Sequence, residues 1–156
     1  MALKAGDKAP NFKLYNDEKQ EVSLDSFHGK SNVVLLFFPQ SFTGVCTKEL
    51  CNTRDDIAFY QGVDAQVLAV SVDSVFTLGK FKEEQKLNFP LLSDFNKAVS
   101  RSYESLYEDW ILDMKGVSKR SAFVIDKTGI IRYAEVLENP GELPNFEAVN
   151  STLKSL

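Results

Sequence analysis

An α/β architecture, with a mixed central β-sheet flanked by helices, is what the sequence predicts, and three observations carry it. Val33 to Phe38 and Ala65 to Val72 are apolar runs with the length of strands buried on both faces. Each is followed by a polar segment suited to a helix, the strand–helix alternation of an α/β chain. Farther on, Ser121 to Asp126 and Ile130 to Val136 flank Lys127-Thr128-Gly129, which reads as a hairpin and mixes antiparallel strands into the sheet.

The remaining elements follow in order. Asn11 to Leu24 reads as two short strands around Asn16-Asp17-Glu18, an N-terminal β-hairpin extension, and Ser23 to Phe27 as a brief helical turn before Gly29. Thr47 to Asp56 suits a helix with Cys46 in its first turn. Phe76 to Leu87 supplies a helix rich in lysine and glutamate, stopped by Asn88 and Pro90. Asn96 to Tyr103 is a shorter helical segment. Leu106 to Met114 carries large apolar side chains without a clean period and takes no assignment; Tyr107, Trp110, Ile111 and Leu112 would be exposed on an isolated chain. Phe146 to Leu156 closes the sequence as a helix, with Pro144 and Asn145 near its start.

Length and composition fit one domain over residues 1–156, with 44% apolar residues available for a core. A formal charge of −4 without a basic stripe argues against nucleic acid as a partner. No apolar run approaches the roughly 20 residues that cross a bilayer, and the first six residues are too short and polar for a signal peptide, so a cytoplasmic protein with no membrane association is expected. Two cysteines and the single His28 suit a reducing compartment. They are too few for a zinc site, which takes about four ligands, and their spacing is not Cys-x-x-Cys, so no metal or cofactor is expected.

The chemistry concentrates in Pro39-Gln40-Ser41-Phe42-Thr43-Gly44-Val45-Cys46. A cysteine in the first turn of a helix meets amides without intrahelical acceptors and the positive end of the helix dipole, a setting that favours an anion. These residues resemble the peroxiredoxins, thiol peroxidases of the AhpC/TSA superfamily: Pro39, Thr43 and Cys46 reproduce the Pro-x-x-x-Thr-x-x-Cys signature. Gly6 to Phe12, Phe89 to Asp94 and Arg120 to Asp126 look like the family's opening, middle and late arginine-bearing strand. The resemblance implies a thioredoxin-like fold and a catalytic set of Cys46, Thr43, Arg120 and Pro39. Cys46 would attack a hydroperoxide, Thr43 and the amides around it would hold the reacting atoms, Arg120 would stabilise charge, and Pro39 would shield the sulfur. Glu49 sits where relatives carry an acid or amide that hydrogen-bonds the arginine; a solvated first-turn acid is the alternative.

Cys51 resembles the resolving cysteine of the PrxQ, or bacterioferritin-comigratory-protein, group, which lies five residues after the reactive one. In an ideal helix that spacing puts the Cα atoms roughly 8 to 9 Å apart, beyond the ~4.4 to 6.8 Å of a disulfide, so resolution would require the first turns to unwind. Gly116 to Arg120 and Ile131 to Glu135 look also like the AhpE group, some of whose members work with one cysteine. The expected function is thiol-dependent reduction of hydrogen peroxide and organic hydroperoxides, recycled by a thioredoxin-like or low-molecular-weight thiol reductant, in a homodimer. The alternatives are a one-cysteine cycle and a redox-sensing or holdase-like interaction protein.

Overall fold

The computed structural model describes residues 3–156. Its strands are Lys13–Asn16 (β1), Glu21–Ser23 (β2), Asn32–Phe37 (β3), Ala65–Ser71 (β4), Leu91–Ser93 (β5), Leu106–Asp109 (β6), Lys115–Ser118 (β7), Ser121–Ile125 (β8) and Ile131–Val136 (β9). The helices are Gly44–Asp55 (α1), Ile57–Gly62 (α2), Val75–Gln85 (α3), Ala98–Ser102 (α4) and Phe146–Lys154 (α5). Seven strands form one sheet in the order β2-β1-β5-β4-β3-β8-β9. β3 runs parallel to β4 and antiparallel to β8, and β4 runs parallel to β5, so the sheet is mixed. The β1–β2 pair is the N-terminal hairpin, antiparallel and joined to the sheet through β5.

β3 is an interior strand covered on both faces, and every residue in it is buried. Side chains alternate across a strand, and the two apolar cores divide accordingly. Val34, Leu36 and Phe38 enter one core with Leu50, Tyr60, Leu78, Phe81, Val149 and Leu153 from the helices. Val33, Leu35 and Phe37 enter the other with Phe12, Leu24, Val99 and Tyr103. A one-residue slip of β3 would exchange the two sets, so its pairing is strongly specified.

Three features depart from the sequence expectation. A second short helix, α2, follows α1 after Asp56, where no element is expected. Leu91–Ser93 pairs as a strand. The unassigned Leu106 segment forms β6, which pairs antiparallel with β7 in a separate two-stranded sheet. Trp110 and the 3-10 turn Ile111–Asp113 make its connection, with Leu112 and Asp113 at positive φ. Tyr107 and Trp110 stack at 6.2 Å and are half-buried, unlike the exposed Ile111 and Leu112.

Candidate active site

Cys46, Glu49, Leu50 and Thr53 are the buried residues of α1. Their spacing of three, one and three is a single helical stripe, so a cysteine and a carboxylate face the core beside a leucine. The helix starts after a tight turn. Pro39 has no N–H and follows the last strand-like bond, from Phe38 N to Val70 O at 2.9 Å. Phe42 then turns at φ 65° and Thr43 sits in the extended N-cap position. Thr47 N bonds Thr43 O at 2.9 Å to close the first turn, which leaves the preceding amides without intrahelical acceptors. Cys46 is fully buried in this conformation, whereas Phe42, Thr43 and Gly44 just before it are exposed.

Arg120 reaches this stripe from the two-residue link between β7 and β8. Lys119 N bonds Ser105 O at 2.7 Å and Leu137 N bonds Arg120 O at 2.9 Å, fixing the link on both sides. The hydroxyl of Ser105 donates to Lys119 O at 3.0 Å. The guanidinium is 2% exposed. Its Nη2 donates to Cys46 Sγ at 3.2 Å and to Pro140 O at 3.0 Å, its Nη1 to Glu49 Oε1 at 2.8 Å, and its Nε to Pro140 O at 3.1 Å. A planar fork that divides its donors in this way has little freedom to rotate. Burial opposes the positive charge, but Glu49 and Cys46 outweigh it and hold the guanidinium above its ordinary range.

Burial pushes the Glu49 carboxyl up to about 7 against the opposing pull of Arg120. Its Oε2 is buried with no partner, which a protonated carboxyl tolerates better than a carboxylate. Glu49 therefore lies inside the helix stripe rather than in solvent, which excludes the reading as a solvated first-turn acid.

The structure brings Cys46, Glu49 and Arg120 into contact and places buried Pro39 and exposed Thr43 on the turn leading to them. The Thr43 hydroxyl makes no side-chain cap; it donates to Gln40 O at 2.8 Å. Its single proton is thus directed into the turn, and its lone pairs are what it can offer to another group. Cys51, also on α1, faces α3: it is half-buried, and its thiol contacts Gln85 Oε1 at 3.5 Å. Both cysteines are free. Sequence reasoning missed the Pro140 carbonyl, which takes two of the Arg120 hydrogen bonds. A backbone acceptor leaves no residue-type signal.

Residues 5–134 match the AhpC/TSA family. Alkyl hydroperoxide reductase E of Mycobacterium tuberculosis (strain ATCC 25618 / H37Rv) is 39% identical over 156 residues, covering 99% of this chain and 98% of the relative. The chloroplastic 2-Cys peroxiredoxin BAS1 of Spinacia oleracea is 34% identical over 161 residues, covering 97% of this chain and 57% of its own length. Among solved structures, peroxidoxin BcpB from Mycobacterium tuberculosis superposes with a TM-score of 0.88 at 28% identity, covering 99% of this chain and 98% of the other. The chain belongs to the AhpC/TSA family. It is a peroxiredoxin with the thioredoxin-like fold of that family, and accordingly a thiol-dependent peroxidase.

Proposed function

We propose that Cys46 is the thiolate that reduces hydroperoxides, and that Cys51 resolves the product. The carrying observation is the Arg120 Nη2 to Cys46 Sγ contact of 3.2 Å at the start of α1. The Cys46 sulfur attacks one peroxide oxygen, forming an S–O bond as the O–O bond breaks. The other oxygen leaves with the electron pair and takes a proton to become water or an alcohol. Cys46 is oxidised by two electrons to the sulfenic acid. Charge grows on sulfur-bound and leaving oxygens together, and the Arg120 fork with the first-turn amides supplies donors already in place. Thr43, with its proton committed to Gln40, accepts from the peroxide O–H and so orients it. Pro39 limits water around the sulfur.

Cys51 then attacks the sulfenic sulfur, forming the disulfide and releasing water, and an external dithiol of the thioredoxin type or a small thiol restores both sulfurs. Both cysteines lie in the continuous helix α1, so this step requires its first turns to unwind. Unwinding would bring the disulfide to the surface, where a reductant reaches it. Two cysteines, too few for a disulfide framework, fit a reducing cytoplasm. Exposed Phe42, Ile111 and Leu112 favour a homodimer that covers them.

The test is mass-spectrometric mapping after one equivalent of peroxide. A Cys46–Cys51 bridge, with raised amide exchange across residues 45–54, is the expected product. A sulfenic acid at Cys46 with Cys51 still alkylatable would replace the resolving step by a one-cysteine cycle completed by an external thiol.

A further inference from the structure

The turn that carries Thr43 is tied to the neighbouring strand through one carboxylate oxygen. Asp73 Oδ2 accepts from Ser41 N at 2.8 Å, from Ser41 Oγ at 2.8 Å and from Ser71 Oγ at 2.6 Å. Asp73 is itself held in place: its N donates to Ser71 Oγ at 3.1 Å, and Ser93 Oγ on β5 donates to its carbonyl at 2.7 Å. The next residue, Ser74, caps α3 by accepting from Thr77 N at 3.2 Å. β3 and β4 are parallel and in register from Asn32↔Ala65 to Phe37↔Val70, so the chain leaves both strands at the same edge of the sheet. Ser41 and Asp73 meet just beyond that edge, the place where sites assemble in α/β sheets.

We infer that Asp73 is a positioning residue for peroxide reduction, acting through Ser41 to fix the Pro39–Thr43 turn over Cys46; this rests on the reading of Cys46 and Thr43 given above. The turn needs such a tether. Phe42 adopts φ 65°, a region that bulky side chains enter rarely, and it is exposed with its ring edge-on to Phe81 at 5.1 Å. Among the described residues, two side-chain hydrogen-bond links hold the turn around it: Thr43 Oγ1 to Gln40 O within the turn, and Ser41 to Asp73 outside it. The first fixes the hydroxyl relative to the turn, and the second fixes the turn relative to the sheet. Losing the second lets Thr43 drift from the peroxide oxygen while Arg120, anchored separately in the link between β7 and β8, keeps its contact with the sulfur. Misplacement on the order of 1 Å costs oriented reactions up to about a hundredfold.

Two reactions of the same sulfur separate this role from general loss of structure. Attack on hydrogen peroxide needs Thr43, whereas alkylation by iodoacetamide needs only the sulfur and its charge partners. In Asp73→Ala, which removes the shared acceptor, the second-order rate of Cys46 oxidation, followed by stopped-flow fluorescence of Trp110 or by competition, should fall about tenfold or more, with alkylation at the same pH changed less than about twofold. Ser41→Ala, which keeps the backbone bond and loses the hydroxyl bond, should fall between wild type and Asp73→Ala. Peroxide oxidation within about twofold of wild type in Asp73→Ala, or a parallel fall in both reactions, overturns the inference. Peroxide consumption that survives Cys46→Ser would instead overturn the reading beneath it.

Discussion

Glu49 is a carboxyl that α1 presents to the core, where the Arg120 guanidinium pairs with it. Its pKa in the folded chain, about 7, lies above the ordinary 4.5 because burial disfavours the charge. The native state therefore keeps a proton that the unfolded chain releases. The stability this contributes is complete below pH 4.5 and is lost as pH rises through 7. Glu49→Gln keeps an acceptor for Arg120 and removes the titration. Denaturant midpoints of the two proteins between pH 4.5 and 7 should diverge, with wild type losing on the order of 3 kcal/mol relative to the variant. A constant difference across that range would show that Arg120 holds Glu49 ionised throughout. Arg120→Met should slow Cys46 oxidation by roughly two to three orders of magnitude, as expected for losing an oriented charged donor. Arg120→Lys should recover only part of it, since an ammonium cannot reach sulfur, carboxyl and carbonyl together. Stopped-flow oxidation of Arg120→Met at the wild-type rate would move the role elsewhere. The grouping of Pro39, Thr43 and Cys46 on the turn into α1 was legible in the sequence because their spacing is local. The pairing of Glu49 with Arg120 spans 71 residues, and only the resemblance hinted at it; the Pro140 carbonyl and the Asp73 tether had no such guide.

At the scale of elements, strands β3 and β4 and helices α3 and α5 could be read directly, since long apolar runs and capped helices report themselves. α2 could not, because six residues give too little period to separate from a loop. β6 and β7 were equally obscure: a two-stranded ladder whose turn carries Leu112 and Asp113 at positive φ has no Gly-containing hairpin signature. Helix α1 carries the next prediction. Cys51→Ser should leave the first oxidation of Cys46 within about twofold of wild type, because Cys51 faces Gln85 and not the sulfur's donors. It should abolish the disulfide and leave Cys46 open to sulfinic acid formation at excess peroxide. Quantifying Cys46 oxidation states by mass spectrometry checks this, and a disulfide yield independent of Cys51 would contradict it.

For the whole molecule, the unwinding of α1 proposed for the resolving step needs the rest of the fold to stay fixed, and the two cores on either face of β3 provide that frame. Leu112 at 88% exposure, Ile111 at 59% and Phe42 at 50% leave apolar surface for a second copy. Sedimentation at micromolar concentration should give twice 17.5 kDa, and Leu112→Glu should shift the protein toward the single-chain mass; a wild-type mass of 17.5 kDa unchanged on dilution would contradict the dimer. All of the proposed chemistry passes through one sulfur. Peroxide consumption by purified Cys46→Ser, with excess thiol reductant and Cys51 intact, tests it most directly. Decay at the rate of the buffer control is the predicted result, and retention of most wild-type turnover, carried by Cys51, would contradict it.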